Sequence, residues 1–224
     1  MPAEGAGCLC NFQVSLRPRT DDVQTDEDKA ARDAAVRSEV LTFNSGGSGA
    51  RPSQDGMNAT AFPSGVMTMP IEATEHVGPV IIWRKELRPD SGGAGQYRGG
   101  LGQYMEVGAV EGHEFDFQAM FDRVDHPARG RQGGADGAPT EIRQDDMTPM
   151  KGKGKQFVPH GRRVVLSFPG GAGYGAASDR DPELVRRDLA HGYISAQACM
   201  RDYGFSQAEV DKVLNAVKRG ENYS

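Results

Sequence analysis

The chain has 224 residues, 37% of them hydrophobic and 25% charged. That is enough for a packed core in one domain, or one domain with an appendage, and it excludes wholesale disorder. Its 30 glycines and 13 prolines make about a fifth of the chain; no strict triplet runs through it, so collagen is excluded and turns with short strands are expected. The net charge of −5 lacks the basic footprint of a nucleic-acid binder. The longest clear apolar run, Val80 to Trp83, is too short to cross a bilayer. No basic segment precedes an apolar one at the N-terminus, so no signal peptide is expected. Three cysteines, Cys8, Cys10 and Cys199, cannot pair completely, which favours a reducing, cytoplasmic setting.

In chain order, residues 1–40 read as an entry segment, partly helical or mobile. Asp21 to Asp28 is acidic, and Asp26 to Ser38 favours a marginal helix with a weak apolar stripe. Residues 41–176 read as a β-rich core. Val80–Leu87 is a strand-length run of β-branched and aromatic residues. Tyr104–Val110 and Arg163–Phe168 are two further strands. Glu114–Phe121 alternates best, with Phe115, Phe117, Ala119 and Phe121 on one face and Glu114, Asp116, Gln118 and Met120 on the other. Glycine-rich loops lie between, one of them long, roughly Asp122 to Gln156. Residues 177–224 turn helical and are expected to pack on the core. Asp181-Pro182-Glu183 is a helix start and Gly192 its stop. Ser195 to Gly204 is a second helix. Ser206 to Gly220 is the third, with a Ser206/Glu209 capping box, a Phe205/Val210 staple and Val210, Val213, Leu214 and Val217 at helical spacing. The fold class is α+β: a β-rich glycine-loop core followed by a short helical segment.

The densest motif runs from Asp90 to Gly102. Its residues Asp90, Ser91, Gly92, Gly93 and Gly95 leave backbone N–H groups unobstructed, and Arg88 and Arg98 flank them with positive charge. Such a loop either cradles an anion or faces a partner, or it merely turns the chain. Two further glycine loops offer the same choice: Gly46 and Gly47 with Arg51, and Gly170, Gly171 and Gly173. The last has the spacing of a relaxed dinucleotide fingerprint, but no helix opens within it and no βαβ unit surrounds it. Gly152-Lys153 is followed by Gly154, so there is no Walker motif. The five histidines form no HExxH or Cys/His ligand pair. Asp122, Asp125 and His126 form a loop cluster that reads as polar rather than metal-binding, and Cys199 reads as packing rather than nucleophile. No self-contained catalytic constellation appears, so the catalytic residues stay unknown and no residue is assigned as a metal ligand.

Several ordered motifs resemble the hydantoinase B/oxoprolinase family over roughly Leu41 to Gly220. They are Thr42 to Pro52, Asp55-Gly56, Thr68 to Glu72, Arg84 to Gly95 with Arg98 to Gly102, Phe168 to Gly175, Arg180 to Glu183, and Gly192 to Ser195 with Asp202 to Gly204. The resemblance implies a subunit of ATP-dependent amidohydrolases that open hydantoins and 5-oxoproline, or of acetone and acetophenone carboxylases. In such enzymes an amide or enol oxygen is phosphorylated before water or a carboxyl donor attacks. It further implies that the nucleotide site lies in a hydantoinase A-type partner, so ATP and a divalent metal belong elsewhere in the complex. Family chains are much longer, and their N-terminal metal-associated motif has no counterpart here. The resemblance therefore implies a small or split subunit whose other half is a separate chain, or a fragment; a non-catalytic interaction subunit is the rival reading.

Overall fold

Alternation along the strands builds the framework. The computed structural model describes residues 1–7, 9–19, 25–34, 37–60 and 69–221. In β5 (His113–Met120) and the residue after it, Phe115, Phe117, Ala119 and Phe121 are at most 1% exposed, as their period of two requires. The other strands are β1 (Cys10–Pro18), β2 (Ser38–Asn44), β3 (Val80–Leu87), β4 (Gln103–Ala109), β6 (Glu141–Gln144), β7 (Lys153–Val158) and β8 (Arg163–Ser167). They make two antiparallel sheets, ordered β2-β1-β5-β7 and β3-β4-β8-β6. One apolar core lies between them, with Phe12, Val14, Leu16 and Phe117 from the first sheet and Met105, Val107, Val164 and Leu166 from the second. Phe12 and Phe117 pack in a tilted pair with centroids 5.2 Å apart, and Phe121 meets Phe168 edge-on at 5.8 Å.

Residues 10–18 correct the expectation of an entry segment. β1 sits inside its sheet between β2 and β5, because Cys10, Phe12, Val14 and Leu16 alternate as strictly as β5 does. The marginal helix is present as α1 (Asp26–Ala34), while residues 21–24 of the acidic run lie outside the described residues. The long loop from Asp122 holds β6 and the start of β7, so it is not a single loop. β5 also carries charge on its outer face. Glu114 and Asp116 are buried there, because the equally buried Arg17 reaches across from β1 to both, at 2.9 and 2.8 Å. Lys155 adds a further contact to Asp116 at 3.0 Å.

The C-terminal helices are α3 (Pro182–Ala190), α4 (Ala196–Tyr203) and α5 (Gln207–Lys218); a short helix, α2 (Ile71–Glu75), precedes β3. Ser195 and Ser206 cap α4 and α5, and the Ser206/Glu209 box is complete. Val185, Leu189, Cys199, Val210 and Val213 form a small core of their own. Burial pushes the Cys199 thiol up to about 11, so it stays neutral and serves packing. No described helix is long and apolar enough to cross a membrane.

Phe117→Ala is expected to destabilise the chain by about 3–5 kcal/mol, the usual cost of an emptied aromatic site in a closed core. Urea unfolding measures it, and a change below about 1 kcal/mol would contradict the sandwich core.

Candidate functional site

Both sheets release strand ends at one end of the sandwich, where Cys10 pairs with Asn44, Leu87 with Gln103, and Tyr104 with Ser167. The chain beyond those ends is rich in glycine, and there the glycine segments pack on one another. Residues 169–174 lie at the centre and make no internal hydrogen bond. Gly47 and Ala50 donate to the carbonyls of Pro169 and Ala172. Gly171 and Tyr174 donate to Gly100 and Tyr97, and Gly170 and Gly173 donate to Ala138 and Ala135. Each neighbour is met every third residue, on both sides of the contact. Three residues per turn without internal bonding is the polyproline II arrangement, so the central segment is a rod with three faces. The same spacing joins Ala3 and Ala6 to Ala50 and Gly47, Gly56 and Ala59 to Arg98 and Leu101, and Ala138 and Ala135 to Ser91 and Ala94.

Glycine is needed here for proximity. A methyl group on Gly171 would fall on the carbonyl oxygen of Ser48, and one on Gly99 on that of Gly171. Neither glycine has a positive φ. Gly93 is alike, since its methyl would strike the Ala135 carbonyl; its role is close packing, not a left-handed turn.

The bundle meets the helices through charge. The buried Asp188 of α3 accepts from Arg98 Nε at 3.0 Å and from Arg180 Nη2 at 2.6 Å through one oxygen. Arg180 also grips both oxygens of Asp55, at 2.7 and 2.8 Å. Two arginines thus face two aspartates, and the cluster is neutral. Burial alone would raise the Asp55 carboxyl, but the hydrogen bonds and charge of Arg180 hold it below its ordinary value. Burial pushes the Tyr203 hydroxyl up to about 12. That hydroxyl, Arg180 Nε and Asp188 Oδ1 are buried without partners. A second tie is Asp90, whose carboxylate accepts from the Ser195 N–H at 2.7 Å at the start of α4.

The sequence-selected residues therefore fall into two sets. Arg98 is not a solvated surface charge: it spans Asp188 and, at 2.6 Å, its own neighbour's carbonyl at Gly99. Arg88 is likewise buried, donating to Pro139 O at 2.7 Å and Glu141 at 2.9 Å. Ser91 Oγ closes the turn between Arg88 and Gly102. Gly92, Gly93, Gly95, Gly170, Gly171 and Gly173 pack inside the bundle. Gly46 and Gly47 also pack inside the bundle, against Pro169 and Gly100, and with Arg51 they border an open cleft of about 770 Å³ together with Pro2 to Gly7, Gly49, Met57 and Arg123. Glu4 ties one wall of this cleft down. It accepts from Arg129 and Arg123, and Arg129, through side-chain and backbone hydrogen bonds, pulls its carboxyl to about 2. Asp125 and His126 border a smaller depression. Among the described residues no group of three His, Cys, Asp or Glu side chains is placed to hold a metal.

A sequence profile described as hydantoinase B/oxoprolinase matches residues 1–177. The chain belongs to the hydantoinase B/oxoprolinase family. The match begins forty residues before the motifs that carry the resemblance, and so includes Ala3–Ala6 and β1, the parts that join bundle and sheet. Within the family, the chain is 28% identical over 175 residues to a putative B-type D-/L-hydantoinase subunit of Pseudomonas sp. (strain NS671), covering 75% of this chain and 29% of that one. It is 27% identical to the acetophenone carboxylase delta subunit of Aromatoleum aromaticum, covering 73% and 29%. The crystal structure of ATP-dependent caprolactamase from Pseudomonas jessenii shares the fold, with a TM-score of 0.71 at 22% identity over 97% of this chain and 38% of that chain. The chain spans about a quarter to a third of the length of the curated relatives it matches.

Two substitutions separate crowding from backbone strain. Gly171→Ala, which places a methyl on a buried carbonyl, is expected to abolish folding. Gly112→Ala, at φ +78 with nothing within 4 Å, is expected to cost only about 1–2 kcal/mol. Equal effects on the thermal midpoint would contradict the bundle. Asp188→Ala leaves two buried arginines with one aspartate and is expected to cost about 3–5 kcal/mol. Urea unfolding checks it, and a loss under about 1 kcal/mol, the level of an exposed pair, would mean that water reaches the cluster.

Proposed function

We propose that the chain is a small subunit, or the split C-terminal part, of an ATP-dependent hydantoinase/5-oxoprolinase-type amidohydrolase complex acting on cyclic amides. The observation that carries this reading is the family match across both the sheets and the glycine bundle, in a chain much shorter than its relatives. In this reading the bundle is scaffold, and its open cleft faces the rest of the assembly. The partners are a hydantoinase A-type subunit and a polypeptide supplying the remainder of the B-type subunit. ATP and a divalent metal are held by those partners. The contribution of this chain is to fix loop positions: the neutral arginine–aspartate cluster locks Asp90 to Gly102 against α3 and α4, and Gly46 to Arg51 borders the cleft. The relation to an acetophenone carboxylase subunit supports a second reading, in which the same scaffold serves an ATP-dependent carboxylase of acetone or acetophenone type.

Reconstitution tests both readings. The chain alone is expected to leave 5-oxoproline, hydantoin and ATP intact. Co-expressed with an A-type subunit and the remainder of a B-type subunit, it is expected to co-purify and restore ATP-dependent ring opening. ATP-dependent ring opening by the isolated chain would overturn the proposal. Turnover of a ketone that requires bicarbonate would establish the second reading instead.

A further inference from the structure

The cleft has an unusual floor. Gly5 and Gly49 both line it and both are partly exposed. They face one another, since a methyl group on Gly5 would lie 3.2 Å from the Gly49 nitrogen. Among the described residues, neither glycine's N–H nor its carbonyl is hydrogen-bonded. The three-residue turn explains why. In the Ala3–Ala6 segment, Ala3 and Ala6 bond to Ala50 and Gly47, and Glu4 bonds to Arg129 and Ala172, which leaves Gly5 on the third face. In the facing segment, Gly47 and Ala50 bond inward and Ser48 bonds to Met57 and Gly100, which leaves Gly49 on the third face. Asn11, on the same cleft, carries a side-chain oxygen that is buried without a partner.

We infer that the cleft is the open edge of the glycine bundle and receives one more extended, glycine-rich polypeptide segment from a partner chain, through backbone hydrogen bonds to Gly5 and Gly49. The other two faces of each segment already carry backbone hydrogen bonds to neighbouring segments, and where Ala3 and Ala6 meet Ala50 and Gly47 those bonds recur at a three-residue interval. An α-helix satisfies its own peptide groups and has nothing to offer those of Gly5 and Gly49. A purely apolar occupant would bury them unpaired, which opposes docking. An extended chain of polyproline II type has its backbone free to pair, and small residues let it approach a floor that is itself glycine and alanine. The added lengths of the family's longer members are the source of such a segment, and only this point rests on the proposed function.

The test uses the full isotopically labelled chain and three acetylated, amidated twelve-residue peptides. The first repeats Gly-Gly-Ala, the second repeats Pro-Pro-Ala, and the third is an amphipathic Leu/Lys helix. The glycine peptide is expected to shift the Gly5 and Gly49 amide resonances and slow their hydrogen exchange. The proline peptide has the same extended shape but few N–H donors, and is expected to bind at least tenfold more weakly. Gly5→Ala is expected to weaken glycine-peptide binding tenfold at an unchanged thermal midpoint; if that variant fails to fold, the peptide comparison decides. Equal binding of the proline peptide, preferential binding of the helix, or no response at these two amides would overturn the inference. Any of those results alongside an active reconstituted complex would leave the proposed function standing.

Discussion

Backbone-to-backbone packing of glycine segments is the constraint on which the rest of this structure depends. Apolar side chains hold the two sheets together, but the chain between strands is held by peptide groups meeting peptide groups. That requires residues without side chains at the contacts and a neighbour's carbonyl at each third position. The central segment after Phe168 shows the coupling. Phe168 anchors in the sandwich core against Phe121, and each of the six residues that follow is hydrogen-bonded to a neighbouring segment. The order of the core is thereby handed to a region with almost no apolar side chains of its own.

The helices depend on the same bundle by another route. Their own core is small, and α3 is joined to the glycine segments by Asp188, Arg98, Arg180 and Asp55. Ion pairs of this kind, closed to water, contribute little net stability against an apolar substitute, yet removing one member is costly because a charge is left unmatched. The cluster therefore acts as a positional lock. With the contact between Asp90 and Ser195, it fixes the loop from Asp90 to Gly102 against the helices, while Gly46 to Gly49 and Arg51 border the cleft.

Much of the sandwich was legible in the sequence. The alternation from Glu114 to Phe121, the β-branched run at Val80 and the caps at Ser195 and Ser206 state their structures locally. β1 was equally legible, since Cys10, Phe12, Val14 and Leu16 keep the same period. β6 and β7 carry weak alternation and are defined by their neighbours in the sheet. The glycine motifs were visible in the sequence, but their geometry was not. Local sequence distinguishes a turn from an anion cradle poorly, and a rod with three lateral partners is specified by segments far apart in the chain. Arg98 and Arg180 stand in recognisable motifs, but their burial follows from Asp55 and Asp188, which nothing local connects to them. Gly5 and Gly49 carry no signal of their own; their significance emerges only once the hydrogen bonds of the neighbouring residues are traced.

The most direct measurement of this account is residue-resolved amide hydrogen exchange of the free chain. If the glycine segments form a hydrogen-bonded bundle, the amides of Gly47, Gly100, Gly171 and Gly173 will be protected to the level of Val14 and Phe117 in the central strands. Those of Gly5 and Gly49 will exchange rapidly. Rapid exchange at Gly100, Gly171 and Gly173, with protection confined to the strands and helices, would show that these segments are ordinary loops and would contradict the account.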